Sequence, residues 1–286
     1  MLLVVMQHAG GTLDEGMRLI CRVDVPLFFL CSGFLTYKIH INTINYLKKR
    51  ILRILLPFIL AVIFAAVFFN EDIGNIFISI GKRGYWFLEA LFIMSIIFLG
   101  LYQSSRRMII GGILIEILLL ILSKYLPDSF DNIFGLSFLS RYFPCFIAGA
   151  LMNKHELNKY INRWVGLILL IVSVTCFCYR FESSNMSFIG YVIGYLTSSI
   201  LIFSFICNIE RNIPYLLANS LCYVGKYSLN IYIIHFFLVP YYNSVSSYFI
   251  INFTVTLLTA LIVTAVSILI GKILTTMTPL NKILTP

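Results

Sequence analysis

Apolar runs of about 17 to 25 residues, the length a helix needs to cross a bilayer, recur from one end of this 286-residue chain to the other with only short polar breaks. No water in hydrocarbon can satisfy a peptide group, so each such run must close its own hydrogen bonds as a helix. The fold class that follows is all-α, a polytopic transmembrane helix bundle of about ten helices in a single domain over residues 1–286. A fragment at Met1–Ala9 comes first, then spans near Val23–Ile39, Ile54–Phe69, Tyr85–Tyr102, Met108–Leu122 and Phe138–Asn153. The remaining spans lie near Trp164–Tyr179, Ser187–Asn208, Leu221–Tyr241 and Ile250–Ile273. Seven residues before His8 cover only roughly a third of a hydrocarbon core about 30 Å thick, so the first helix reads as truncated, which a start upstream of Met1 would explain.

A net charge of +9 invites a nucleic-acid partner, but the placement of the basic residues argues against one. Lys48, Lys49, Arg50 and Arg53 fall in one short loop, Arg106 and Arg107 in a second, and Lys154, Lys159 and Arg163 in a third, each two spans from the next. This is the positive-inside pattern of a multi-pass protein of the cell inner (plasma) membrane. One topology then puts these clusters, Arg211, Lys272, Lys282 and both termini in the cytoplasm. The breaks bearing Asp14 and Glu15, Glu71 and Asp72, Asp128 to Asp131, and Glu182 face outward.

Seven cysteines form no bridge framework, because Cys31, Cys145, Cys176, Cys178 and Cys207 lie inside apolar runs and read as packing residues. No metal site is expected from the C-x-C at Cys176 and Cys178. Gly190 and Gly194, four apart, suit close approach of a neighbouring helix.

A few polar residues interrupt the apolar pattern, and each has two readings. His8, at the outer end of LLVVMQHAGG, is either a packing or interfacial histidine or a general base. Arg50 and Arg53, spaced R-x-x-R on one helix face, either set topology or grip phosphates, with Lys49 beside them. Asp24, Glu89 and Glu116 are acids that lipid would not tolerate, so they face the bundle. Arg141 could pair with one of them in a structural ion pair, which competes with a catalytic role for that acid. His235, in GKYSLNIYIIHFF, is either a hydrogen-bonded core histidine or a polar group lining a cavity. Trp86 suits stacking on a sugar or membership of an interfacial aromatic belt.

Taken in order, LLVVMQHA, VDVPLFFLCSGFL, KKRILRILLP, GYWFLEALF, RYFPCFIAGAL and VGKYSLNIYIIH resemble acyltransferase family 3, integral membrane enzymes that acylate surface and exported glycans. The resemblance covers nearly the whole chain. It implies an O-acyltransferase, O-acetyl transfer foremost, drawing on acyl-CoA in the cytoplasm, acetyl-CoA foremost among short acyl donors, with no metal. It makes His8 the catalytic histidine and Arg50 and Arg53 the pair that engages the donor. Glu89 becomes a candidate second catalytic group. Asp24, Ser32, Trp86, Arg141, Tyr232 and His235 fall at motif positions expected to contact substrate. The implied partners are a glycan or lipid-linked saccharide acceptor, acyl-CoA and membrane lipids. The family pattern also carries an arginine separated by ten residues from the histidine, a position that here would precede Met1. The competing class is a transporter or flippase of a glycan or small solute, which would share the buried ionisable residues. Against it stand the lack of an internal repeat and of paired Gly/Pro-broken spans.

Overall fold

The structure is a computed structural model that describes residues 1–9, 23–37, 42–182, 188–239 and 249–277. The expectations for Asp14, Glu15 and Lys282 lie outside the described residues, as do those for the side chains of Cys178, Glu182 and Arg211. The described residues are overwhelmingly helical, with no strand among them. In chain order the helices are α1 (Leu2–Ala9), α2 (Asp24–Thr36), α3 (Thr43–Arg50), α4 (Leu56–Phe69), α5 (Ile73–Ile78), α6 (Trp86–Leu101) and α7 (Ser105–Tyr125). They continue as α8 (Asp128–Phe134), α9 (Leu136–His155), α10 (Arg163–Glu182), α11 (Phe188–Ile209), α12 (Tyr215–Lys226), α13 (Ser228–Leu238) and α14 (Phe249–Met277). Four stretches are each long and apolar enough to cross a membrane: Thr43–Phe69, Ser105–Tyr125, Phe188–Ile209 and Ile250–Ile273. The pair α8 and α9, bent by 47°, makes a fifth, and four shorter apolar helices join them. The chain is an all-α membrane bundle.

Two sequence boundaries are corrected. The basic stretch Lys48 to Arg53 is helix, not loop: Asn42 caps α3 by accepting from the Asn45 amide at 3.1 Å, and a π turn at Ile51–Leu55 runs on into α4. At 27 residues this helix is roughly 40 Å long, about 10 Å more than the hydrocarbon needs, so its first turns can carry lysine beyond the lipid. The π turn has a local cause. Pro57 offers no N–H and would crowd the carbonyl four residues back in an α-helix, and the wider turn relieves that contact. The span expected at Leu221–Tyr241 is instead two helices, α12 and α13, separated at Tyr227. The break between α8 and α9 lies at Gly135, whose φ of 59° few other residues adopt.

The chain forms two compact units, Met1–Val25 with Ile209–Pro286, and Pro26–Asn208. In the first, α1 packs on α13 and α14 through a buried cluster of Val5, Met6, Ile231, Ala260 and Val263. Gly271 of α14 lies against Asn230 of α13, where a β-carbon would come within 2.6 Å of the amide nitrogen.

In the second unit, α2 and α9 cross with their backbones in contact. A β-carbon on Gly33 would land on the Phe146 carbonyl, and one on Gly149 would land on the Leu30 carbonyl. Lipid is as apolar as leucine, so a bundle in a bilayer gains little from burying leucine and much from dense packing where small residues permit it. Asn153, one turn beyond Gly149, ties the same helices by donating to the Phe34 carbonyl. Gly194 of α11 packs more loosely, 3.1 Å from the Cys176 β-carbon of α10 for an added methyl.

Ahead of α6 the chain turns through three successive left-handed residues, Lys82 (φ 40°), Arg83 (φ 51°) and Gly84 (φ 91°). The two non-glycine residues cost about 1 to 2 kcal/mol each, which their side chains offset. Lys82 is fully buried, and its ammonium donates to the Asn132 carbonyl at 2.7 Å and to the Ser79 carbonyl at 3.5 Å while pairing with Glu89 at 3.1 Å. Arg83 pairs with Glu71 and lies over the Phe69 ring at 3.9 Å. The hydrogen bonds from Arg83 hold the Glu71 carboxyl below its ordinary range.

Two outcomes follow for stability in detergent. Gly33→Ala and Gly149→Ala each lower the melting temperature, because forcing a methyl into a backbone costs about 1 to 3 kcal/mol, more than the ~1 kcal/mol that alanine gains in helix propensity. Gly100→Ala, with open space at its β-carbon, shows only the gain. Lys82→Met lowers the melting temperature by roughly 5 to 10 °C, since a buried ion left unpaired costs about 3 to 5 kcal/mol. The double variant Lys82→Met/Glu89→Gln recovers more than half of that loss.

Candidate active site

The first unit brings two of the sequence candidates together. His8, on the last turn of α1, keeps an exposed side chain, although Val4, Val5 and Met6 just before it are buried. Its ring centroid lies 5.3 Å from that of His235 and 4.8 Å from that of Phe236, both on α13. His235 is completely buried. Its Nδ1 lies 3.0 Å from the Ile231 carbonyl one turn back, and its Nε2 has no hydrogen-bond partner among the described residues. Tyr232, also buried, adds a ring 5.7 Å from His235. The cluster is thus an exposed imidazole resting on a buried imidazole within an aromatic wall. Asp24 in the same unit heads α2; its Oδ1 accepts from the Val25 amide, and its buried Oδ2 has no hydrogen-bond partner among the described residues.

The second unit holds the basic cluster. Arg50 is half-buried, donates to the Thr36 hydroxyl and lies 4.9 Å over the Tyr46 ring. Thr36 in turn donates to the Ser32 carbonyl at 2.6 Å, so Arg50 is tied to α2 through the residue one turn from Ser32. Tyr46 reaches the Ser95 carbonyl at 3.4 Å. Arg53, Lys48 and Lys49 are exposed. The π turn advances the chain less per residue than an α-helix, so Arg53 does not share Arg50's inward aim, unlike the common face that R-x-x-R implies in a regular helix. Lys154, from the end of α9, stands 5.4 Å over the Tyr37 ring, and further basic charge therefore lies near the α2 terminus.

Glu89, on the first turn of α6, is held by Lys82, a residue that sequence reasoning passed over. Arg141 makes no ion pair with Glu89 or Glu116, so the expected structural pair has a different cation. The Nε of Arg141 has no hydrogen-bond partner among the described residues. Glu116 faces an apolar cavity of about 280 Å³ lined also by Gly112, Phe143, Pro144 and Ile147, and both of its buried carboxyl oxygens have no hydrogen-bond partner among the described residues. Trp86 stacks on Phe138 with centroids 3.9 Å apart and lies 5.6 Å from Tyr142, which stacks on Phe29 at 5.3 Å. One face of the indole is therefore taken by protein.

Thr36, Tyr46, Lys82 and Phe236 complete these clusters and were not singled out in the sequence. For Lys82 the available signal was the Gly-Lys-Arg-Gly turn seven residues ahead of an intramembrane acid. For Phe236 there was none beyond its place next to His235.

Neither a curated protein nor a solved structure gave a significant match to the chain. A family model described as an acyltransferase domain matches residues 1–275, almost the full length, with the motif order from His8 to His235 inside it. The chain belongs to acyltransferase family 3 and is a membrane acyltransferase.

Proposed function

We propose that this acyltransferase moves a short acyl group, acetyl foremost, from acyl-CoA to a hydroxyl of a surface or exported glycan, with His8 as general base. The observation that carries the reading is the exposed imidazole of His8 seated on His235 and Phe236, in a chain matched by the family over residues 1–275. An imidazole titrates near neutrality, and so can take a hydroxyl proton as the oxygen attacks a thioester carbonyl. The tetrahedral intermediate expels the CoA thiolate, and the proton held on His8 is available to it. In the alternative order His8 is acylated first and passes the group to the acceptor.

The anionic donor is assigned to the basic cluster. Arg50 carries a fork already aligned by Thr36 and Tyr46, and a guanidinium held in place loses less freedom on binding phosphate than a free one. Arg53 and Lys49, both exposed, add charge and reach. Trp86, Ser32, Arg141, Asp24 and Tyr232 are assigned to substrate contact. Glu89 is assigned a supporting role through Lys82 rather than direct proton transfer. The positive-inside pattern supports an inner-membrane protein whose basic helix ends and termini lie in the cytoplasm, where acyl-CoA is made.

Three measurements test this reading. Mass spectrometry of surface glycans from the native strain, a deletion strain and a His8→Ala strain should reveal an ester-sized mass that disappears in both mutants. In membranes supplied with labelled acetyl-CoA, His8→Ala should reduce transfer by at least about 10²-fold, the usual contribution of a general base. Arg50→Ala should raise the KM for acetyl-CoA about tenfold or more, equivalent to about 1.4 kcal/mol or more, with a smaller change in kcat. Full transfer by His8→Ala, or lost glycan export with acylation intact, would overturn the assignment.

A further inference from the structure

His235 is the buried group whose chemistry the fold leaves half used. A backbone carbonyl only accepts, so the 3.0 Å contact between His235 Nδ1 and the Ile231 carbonyl places a proton on Nδ1. A second proton on Nε2 would create a cation within the bundle with no acceptor among the described residues, an expensive state at membrane depth. The ring is therefore the neutral Nδ1–H tautomer, and Nε2 presents a lone pair. That lone pair is buried and without a hydrogen-bond partner among the described residues, and the ring on a neighbouring helix that can donate to it is His8.

The separation fits such a bond. A ring nitrogen lies roughly 1.1 Å from its centroid and an N–H···N hydrogen bond spans about 2.9 Å, so two imidazoles joined end to end have centroids about 5.1 Å apart. The observed separation is 5.3 Å, with the rings tilted by 48°. His235 is held by its own carbonyl contact and by complete burial, so of the two rings the one free to reorient is that of His8, which is exposed. Phe236, 4.8 Å from His8, limits that turn on one side.

We infer that His235 is a positioning residue for His8, its Nε2 accepting the N–H of the His8 ring so that the opposite nitrogen holds its lone pair toward the acceptor hydroxyl. The inference rests on the reading of His8 as the base. When His8 takes the acceptor's proton it becomes a cation, and its hydrogen bond to His235 strengthens at that moment, which favours the transition state over the ground state. The role parallels that of the orienting acid in a hydrolase triad, performed by a neutral ring where a bare carboxylate in lipid would be costly.

Side-chain geometry supplies the test. Glutamine can place a polar atom where His235 Nε2 sits, whereas asparagine reproduces the Nδ1 position and its bond to Ile231 but leaves Nε2 empty. With the full chain purified in detergent and supplied with labelled acetyl-CoA and native membranes, His235→Gln should keep kcat within about threefold of wild type. His235→Asn should lose roughly 10- to 100-fold in kcat with KM for acetyl-CoA unchanged. A second readout needs no turnover: carbethoxylation of His8 by diethyl pyrocarbonate, followed by peptide mass spectrometry, should run several-fold slower in His235→Asn than in wild type. A purely packing role for His235 predicts the reverse ranking, with asparagine tolerated. Wild-type kcat and carbethoxylation in a normally melting His235→Asn would overturn the inference, and so would a well-folded His235→Gln as slow as His235→Asn. Should His235→Gln fail to fold, the Asn variant alone decides. Failure of the enzymatic reading looks different: His8→Ala would retain transfer, while the carbethoxylation ranking would still report whether the two rings are bonded.

Discussion

The contact of two helix backbones at Gly33 and Gly149 is the constraint on which the second unit depends. Water is absent from the bilayer interior, so apolar side chains gain nothing from leaving lipid for protein, and helices stay together through close packing and a few polar ties. Each glycine opens the space into which the opposite helix presses a carbonyl, Phe146 against Gly33 and Leu30 against Gly149. That crossing fixes the rotation of α2 about its axis. It directs Phe29 into the aromatic stack with Tyr142 and sets Thr36 where it receives Arg50. The basic cluster and the aromatic stack are thus two ends of one rigid crossing.

The helical character of the chain was legible because hydrocarbon permits little else, and spans such as Phe138–Asn153 and Ser187–Asn208 fall within a few residues of the observed α9 and α11. The errors have a common cause. A run of charge reads as the end of a helix, yet Lys48 to Arg53 are carried on one, because a helix longer than the hydrocarbon can hold lysine on its projecting turns. Apolar continuity was taken to mean one helix, yet Leu221 to Leu238 is divided at Tyr227 by a backbone conformation that hydropathy does not encode. Gly190 and Gly194 displayed a recognised spacing, whereas Gly33 and Gly149, more than a hundred residues apart, make the tighter contact and display none.

The site was legible as a set of residues and not as a set of contacts. His8 and His235 each stood out as polar groups in apolar surroundings, and the fold places their rings side by side. Glu89 stood out for the same reason, but its partner is Lys82, delivered by a left-handed turn, rather than Arg141. A pattern of residue types can identify a group that needs a partner in lipid. Which partner it finds depends on turn geometry and helix rotation, and these are decided by contacts distant in sequence.

Lys82 and His235 show how burial alone fails to separate support from chemistry. Both are completely buried, and both lie next to a residue that sequence marks as catalytic. Lys82 spends its ammonium on two carbonyls and a carboxylate: the Ser79 contact closes its own turn, and those to Asn132 and Glu89 fasten that turn to two helices. A group so fully occupied can hold Glu89 in place but has nothing left for a reaction. His235 spends one nitrogen on its own helix and leaves the other without a hydrogen-bond partner among the described residues, beside an exposed ring. In a bilayer an unsatisfied polar atom is a standing cost. Lys82 shows that this fold can pair a buried polar group completely, and the inferred bond from the adjacent His8 ring would pair the second nitrogen of His235 as well.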